Sequence, residues 1–532
     1  MVDIKLRLLV RQLWSGEQAA WLLLCLTFWL LLTSGLRPLM LPDEGRYAGI
    51  AWEMLSAGDW LVPRLSGLPF FHKPPLFYWL TALSLGIFGA QAWAARMASI
   101  MGALLAVAGL YFFLRRYRSP RLAILVCVIL VTQPIFFAGA QFANLDMLVA
   151  GLISVTILSA ADSVARLRNR QSYQWVLLRT YALAACGVLA KGLIGLVLPG
   201  GVIVLWLLWR KEWRLIRPLL SLPGAIVFLA IAAPWFVLMQ QQYPGFYDYF
   251  VVYHHFRRFA ETGFNNQLPG WIYLPVILVC ALPWSPWVFR WFPSVINRQW
   301  PPEQAQDGVR SLMLIWLLLI VAFFSLPSSK LVGYILPAIP PFAFLIGESF
   351  FIWWQKNASG ARRVYLVTLM LAVLSCLALI VGVAMSNRTS AKALALDSAD
   401  VSQTQDRLLL LDGYPYDLPF YLHLRYPPWV LGNWDDPHID KHDNWRKELA
   451  DAGKFEALAR AEHLLDTARL ADRVCQARDG ALWVWGQKED RTLTSWLPEK
   501  SVFRTAGKFT LWRLVAADIR TLSLCAGRPT SG

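Results

Sequence analysis

The sequence predicts an all-α polytopic membrane bundle, with interfacial helices in its outer loops and a small α/β domain at its C-terminal end. Three observations predict it. The 532 residues are 57% hydrophobic and only 16% charged, against about 25% charge in a soluble domain. Apolar windows of spanning length, roughly 17–25 residues, recur along residues 1–385. Residues 386–532 are far more polar and hold no such window.

Lipid tolerates only elements that satisfy their own backbone hydrogen bonds. Leu-, Val-, Ala- and Ile-rich windows of this length are therefore helices, since barrel strands would be shorter and alternating. Spans are expected near 20–36, 94–114, 121–139, 145–161, 174–190, 192–209, 218–238, 271–289, 311–326, 331–352 and 364–385. The first follows Lys5, Arg7 and Arg11 and lacks a small-residue cleavage site, so it reads as a retained helix rather than a signal peptide. Every second connection is basic: RRYRSPR (115–121), ARLRNRQ (165–171), RKEWRLIR (210–217) and QKNASGARR (355–363). Positive charge marks the cytoplasmic side. The N-terminus is thus expected in the cytoplasm, with the first loop and the C-terminal domain outside. The net charge of +16 is an orientation signal, with contact to anionic lipid as a side effect, and not a nucleic-acid footprint.

Two domains are expected, 1–385 in the membrane and 386–532 outside it. In the second, the strand-like runs DRLLLLDG (406–413), ALWVWGQ (481–487) and FTLWRLVA (509–516) alternate with the helix-like KELADAGKFEALARAEHLLDTARLA. Cys475 and Cys525 fall there, where a disulfide is permitted; whether they pair is left open. The other five cysteines lie in apolar windows. Two outer loops, 37–93 and 239–270, are long enough to need a purpose and form the expected active-site face. In the first, Tyr47, Ile50, Ala51, Met54 and Leu55 recur at helical spacing behind Pro42, Asp43 and Glu44, which favour a helix start. A second interfacial helix is expected at 76–89, after Pro74–Pro75.

Ionisable groups at membrane depth are costly and therefore functional candidates. At the outer ends stand the polar residues Asp43, Glu44, Arg46, His72, Lys73, Asn144, Asp146, Lys191, His254, His255, Arg257, Arg258, Lys330 and Tyr334. Each has a plainer reading. Asp43 and Glu44 would suit a helix N-terminus, Asp146 would cap its own helix, and Lys191 would snorkel to the interface. Lys330 and Tyr334, four apart, are expected on one helix face. A carboxylate among several cations suits a reaction that expels an anion: the acid takes or orients a proton, and the cations meet the leaving charge. At an outer membrane surface that anion is a lipid phosphate. The sequence contains no HExxH, CxxC, P-loop or GxGxxG motif, the signatures of zinc and nucleotide chemistry.

The stretch LPDEGRYAGIAWEMLSAGDWLVPRLSGLPFFHKPPLFYWL resembles the first outer loop of the GT-C glycosyltransferases that use polyprenyl-phosphate sugars. ANLDMLVA, AKGLIGL, YHHFRRF and SSKLVGYILPAIPP extend the resemblance over most of residues 20–385. The chain is most similar there to the lipid A 4-amino-4-deoxy-L-arabinose transferases and more distantly to the protein O-mannosyltransferases. The resemblance implies about 11–13 transmembrane helices of GT-C type. Asp43 and Asp146 are similar to the family's acids, with Arg46 beside the first, and Lys73, Lys191, His255, Arg258, Lys330 and Tyr334 fall on positions lining its lipid-phosphate and sugar pocket; Glu44, Arg46 and His72 are expected to bind substrate with them. One departure bears on the sugar: those transferases carry Phe-Glu-Lys-Pro where this chain has Phe71-His72-Lys73-Pro74.

The expected function is therefore inverting transfer of 4-amino-4-deoxy-L-arabinose, or a related pentose or hexose, from undecaprenyl phosphate. The acceptor would be lipid A or another envelope glycan or protein, on the periplasmic side of a bacterial inner membrane. No cofactor is required, with a divalent metal at His72 and His255 a lesser expectation. A lipid or solute transporter is the alternative. It would place polar residues at mid-membrane and in related halves, whereas these crowd the outer ends. An assembly module with a docking domain is a third reading.

Overall fold

The computed structural model describes residues 16–257, 267–291, 308–386, 390–398, 403, 405–439, 444–477 and 480–525. Each of the eleven expected windows holds helix. Five helices are long and apolar enough to cross a membrane among the described residues: Met97–Tyr117, Leu145–Arg168, Leu222–Gln242, Val332–Lys356 and Ala358–Ser386. Pro120–Val131 and Pro134–Ala140, bent by 71°, make a sixth when counted as one span. Others are short, such as Ile194–Trp209 and Val309–Ser325. Prolines account for part of this: Pro134 opens a new helix after the break at Thr132–Gln133, having no N–H to continue the old one. The chain is a multi-pass membrane protein.

The chain divides into two compact units, and the division does not follow a single cut at residue 385. The first takes the chain up to Arg37, Arg96–Leu238 and the segment that ends at Met385. The second takes Pro38–Ala95, the segment from Met239 to Asn265, and everything from Ser386 on, so both outer loops group with the C-terminal residues.

In the first unit Leu145–Arg168 is buried along nearly its whole length. Small residues let its neighbours close in, the usual device where lipid removes a hydrophobic drive between helices. A Cβ at Gly151 would stand 2.0 Å from the Gly102 carbonyl oxygen on Met97–Tyr117. Gly187 and Gly195 meet as closely on Gln174–Lys191 and Ile194–Trp209, where a Cβ at Gly195 would lie 2.2 Å from Gly187 C. Arg310 and Glu348 form a buried two-pronged pair, both bonds 2.9 Å.

The second unit carries a six-stranded mixed sheet. Its strands are β3 (Arg407–Leu411), β4 (Trp429–Leu431), β5 (Leu464–Leu465), β6 (Leu482–Gln487), β7 (Val502–Ala506) and β8 (Phe509–Leu514), after a small hairpin β1 (Arg64–Leu65) and β2 (Leu68–Pro69). The order is β5-β4-β3-β6-β8-β7, parallel from β5 to β6 and antiparallel across β8 and β7. The three expected strands are β3, β6 and β8. The helix-like stretch after Asn444 is instead three helices, Trp445–Gly453, Ala457–His463 and Thr467–Gln476, with β5 between the last two. Leu464–Leu465 is a fully buried apolar pair, too short to show a period. Cys475 and Cys525 form a disulfide, Cα atoms 5.7 Å apart.

Candidate active site

The helix Asp43–Ala57 begins at Pro42 with Asp43 and Glu44 in its first turn. They part at once. Glu44 is fully buried, and its carboxylate accepts a 2.8 Å bond from the Met40 N–H, holding the turn into the helix. Asp43 stays partly open, its side chain 34% exposed, and pairs with Arg46 one turn on. The other arm of Arg46 meets Glu448, whose side chain is only 9% exposed. Tyr416 Oη donates a 2.7 Å bond to the remaining Glu448 oxygen. The Arg46 guanidinium also lies 5.6 Å from the Tyr47 ring and 5.8 Å from that of Tyr416. Burial works against its charge, yet Glu448, Tyr47, Tyr416 and Asp43 together hold it well above the usual arginine range. One cation thus sits between a buried carboxylate and an open one.

Glu448 was not legible in the sequence. It stands 402 residues from Arg46, on the Trp445–Gly453 helix, and no local spacing links the two. Gly45 and Gly49 let this approach happen: a Cβ at Gly45 would sit 3.0 Å from the Asp417 nitrogen and one at Gly49 3.2 Å from the Tyr416 oxygen.

His72 and Lys73 follow the β1–β2 hairpin. Its turn residues Ser66 and Gly67 have φ of 53° and 73°, the pair of left-handed residues that a two-residue hairpin turn asks for. Glu53, from the Asp43–Ala57 helix, accepts both turn N–H groups at 2.8 and 2.9 Å. Burial pushes its carboxyl up to about 7 against those bonds. Arg64 extends the same support, donating to the Gly67 carbonyl and to Glu456, each at 2.8 Å. The His72 ring lies against Phe70, 4.2 Å between centroids and tilted by 31°, and 5.9 Å from Tyr249. Asp248–Arg257 forms a π-type helix. The side chain of His255 and all of Arg258 lie outside the described residues. No group of three or more His, Cys, Asp or Glu residues gathers among the described ones.

The first unit holds the other candidates. Asn144, not Asp146, caps the helix Leu145–Arg168, accepting from the Asp146 N–H at 2.9 Å. The Asp146 carboxylate is therefore not used in capping, and it pairs with Lys191 at the end of Gln174–Lys191. The Lys191 ammonium lies 4.4 Å from the centre of the Tyr334 ring. Gly333 makes room for this, since a Cβ there would stand 2.4 Å from an Asp146 oxygen.

Lys330 and Tyr334 do not share a helix face. Pro327 and the two serines after it end the preceding helix, and the next begins only at Val332, as a 3-10 turn. Lys330 is buried ahead of that turn and donates to the carbonyls of Leu268, at 3.0 Å, and Pro327. It fastens the segment 325–331 to residues 267–269, which also pair through a Gln267–Ser329 bridge.

Residues 72–238 match the family model for dolichyl-phosphate-mannose-protein mannosyltransferase. The undecaprenyl phosphate-α-4-amino-4-deoxy-L-arabinose arabinosyl transferase of Pseudomonas paraeruginosa is 34% identical over 372 residues, 68% of this chain and 66% of that protein. The protein of the same name from Pseudomonas aeruginosa is 35% identical over 350 residues, 64% and 61% of the two chains. The match thus spans just under two thirds of these relatives' own length. The crystal structure of ArnT from Cupriavidus metallidurans bound to undecaprenyl phosphate superposes with a TM-score of 0.76 at 23% identity, covering 97% of this chain and all of that one.

The chain shares the fold of that ArnT, and its sequence is similar to the arabinosyl transferases and, over residues 72–238, to the mannosyltransferase family. The likeness of fold extends over 97% of the chain.

Proposed function

We propose that this GT-C protein transfers a sugar from undecaprenyl phosphate to an envelope acceptor such as lipid A. The sugar is 4-amino-4-deoxy-L-arabinose or a related pentose or hexose. The protein lies in the inner membrane with its N-terminus in the cytoplasm and its C-terminal residues in the periplasm, a reading supported by the alternation of basic connections. The activity for which the relatives are named supports the donor and the sugar.

The observation that carries the chemistry is the Asp43–Arg46–Glu448 arrangement. A hydroxyl oxygen of the acceptor attacks the anomeric carbon, the bond from that carbon to the phosphate oxygen breaks, and undecaprenyl phosphate leaves. The attacking hydroxyl's proton goes to Asp43, the open carboxylate. Glu448 binds the far arm of Arg46, so the guanidinium orients Asp43 while its other charge is already matched. Such a base contributes typically 10²–10⁴-fold in rate. His72 and Lys73, set by the braced hairpin, are substrate-binding positions in this reading, as are Arg46 and, outside the described side chains, His255 and Arg258. Asp146 is a second catalytic acid, and Lys191, Lys330 and Tyr334 are binding positions. Glu44 is a binding position only through the turn it holds. The reading requires no cofactor, since the leaving group is already a phosphate and the chain's own cations can meet its charge.

Asp43→Asn in a deletion strain tests it, with labelled lipid-linked sugar as donor and mass spectrometry of lipid A as readout. The expected result is at least a hundredfold loss of transfer at unchanged protein level. Normal transfer would overturn the assignment.

A further inference from the structure

We propose that the end of the first unit remote from Asp146 carries a binding site for an anionic glycerophospholipid. A groove of about 510 Å³ runs between Met97–Tyr117, Leu145–Arg168 and Gln174–Lys191. Its walls are apolar, formed by Leu105, Phe112, Phe113, Val155, Leu158 and Leu183, with Gly109 packed close against Val155. At one end the lining changes character. Arg116, Arg166 and Arg179 converge on the single carboxylate of Asp162, at 3.6, 3.2 and 3.9 Å.

The charges do not balance. Three guanidiniums face one carboxylate, which also accepts from Tyr117 Oη, so this end keeps two positive charges. Arg116 and Arg179 are 42% and 58% exposed at the side chain, whereas Arg166 is 26% exposed. The two outer arginines therefore retain donors directed away from Asp162. Arg179 is steadied by a 3.1 Å bond from its Nε to Ser159 Oγ. Trp175, one turn earlier on the same helix, is 80% exposed, as aromatic residues are at headgroup level.

An apolar groove that takes an acyl chain, closed by a net positive fork, has the chemistry of an anionic phospholipid: the chain lies along Phe112 and Val155, and the phosphate bridges Arg116 and Arg179. Basic pockets between transmembrane helices recognise lipid headgroups in this way. The site is separate from Asp146 and Lys191. Asp162 lies sixteen residues beyond Asp146 on one helix, about 24 Å at 1.5 Å per residue.

Native mass spectrometry of the detergent-extracted protein tests the site, with phosphatidylglycerol, phosphatidylethanolamine and undecaprenyl phosphate offered in equal amounts. The unaltered protein should retain phosphatidylglycerol preferentially. Arg116→Gln with Arg179→Gln leaves Asp162 paired with Arg166, so no buried charge is stranded and folding, checked by monodispersity, is preserved. Retention should fall about fivefold for each arginine removed. Arg115→Gln with Arg363→Gln, which removes cations outside the groove, should leave it unchanged. Three results would overturn the proposal: equal retention of the zwitterionic lipid, equal loss in the control variant, or preference for undecaprenyl phosphate through the same two arginines. Should the groove variant not remain monodisperse, Arg179→Gln alone, on the most exposed of the three, gives the same reading as a fall of about fivefold.

Discussion

The two units each hold an acid–cation arrangement, and they are built on different principles. In the first, Asp146 and Lys191 form a one-to-one pair, both nearly buried, with side chains 10% and 11% exposed. In the second, Arg46 serves two carboxylates, Glu448 in the interior and Asp43 at a third of full exposure. A closed pair satisfies itself. A cation anchored from behind by a buried acid holds an open carboxylate in place without needing that carboxylate for its own neutralisation. The difference separates a group that is available to a substrate from a group that first has to be released.

The largest expected effect breaks the second arrangement. Arg46→Ala leaves Glu448 buried without its counter-charge, and the loss of one partner of a buried pair costs about 3–5 kcal/mol. Thermal unfolding should show it as a drop of several degrees in Tm; an unchanged Tm would mean that Glu448 is not held as described.

Next is pH. Burial pushes Glu53 and Asp417 each up to about 7, from ordinary values of 4.5 and 3.8. Both are neutral in the fold and ionised in the unfolded chain between those limits. Their contribution is therefore full below about pH 4 and is lost as pH rises to about 7, on the order of 3 kcal/mol for each. Hydrogen exchange, corrected for intrinsic rate, should be slower at pH 5 than at pH 8 in peptides containing Ser66–Gly67, whose N–H groups Glu53 accepts, and Ala391, whose N–H Asp417 accepts beside the Ser390 hydroxyl. Glu53→Gln should flatten the response in the first peptide only.

Gly333→Ala comes third. Its Cβ would intrude on the Asp146 carboxylate, and overpacking of this kind costs about 1–3 kcal/mol. Sugar transfer should fall with the disturbed Lys191 pair; unaltered stability and transfer would show that this pair yields freely. Smallest in stability is Glu448→Gln, which keeps the size and the Tyr416 contact but removes the anchor charge. It should lower kcat about tenfold with little change in KM, because Asp43 is then drawn more tightly onto Arg46. An equal effect on both constants would point to general damage.

What was legible in the sequence is what local chemistry determines. Hydropathy placed the helices, Pro42 with two acids announced the start of Asp43–Ala57, and the apolar runs gave β3, β6 and β8. What was not legible depends on residues distant in the chain. Glu448 carries no mark that it will meet Arg46, and Leu464–Leu465 becomes a strand only because β4 lies beside it. The separation of Glu44 from Asp43 follows the same logic, since both favour a helix start and only packing buries one. Lys330 failed for a local reason: the register argument assumed a helix that Pro327 and two serines had already ended.

The second unit is assembled from three separate stretches of chain, and this has a consequence for synthesis. Pro38–Ala95 emerges early, yet Tyr416 and Glu448 come some four hundred residues later. A ribosome that stops between residues 386 and 448 releases a membrane protein whose apolar helices are complete but whose Arg46 lacks its anchor. The last quarter of translation is thus a checkpoint, so that a prematurely ended product can occupy the membrane without an intact Asp43 arrangement.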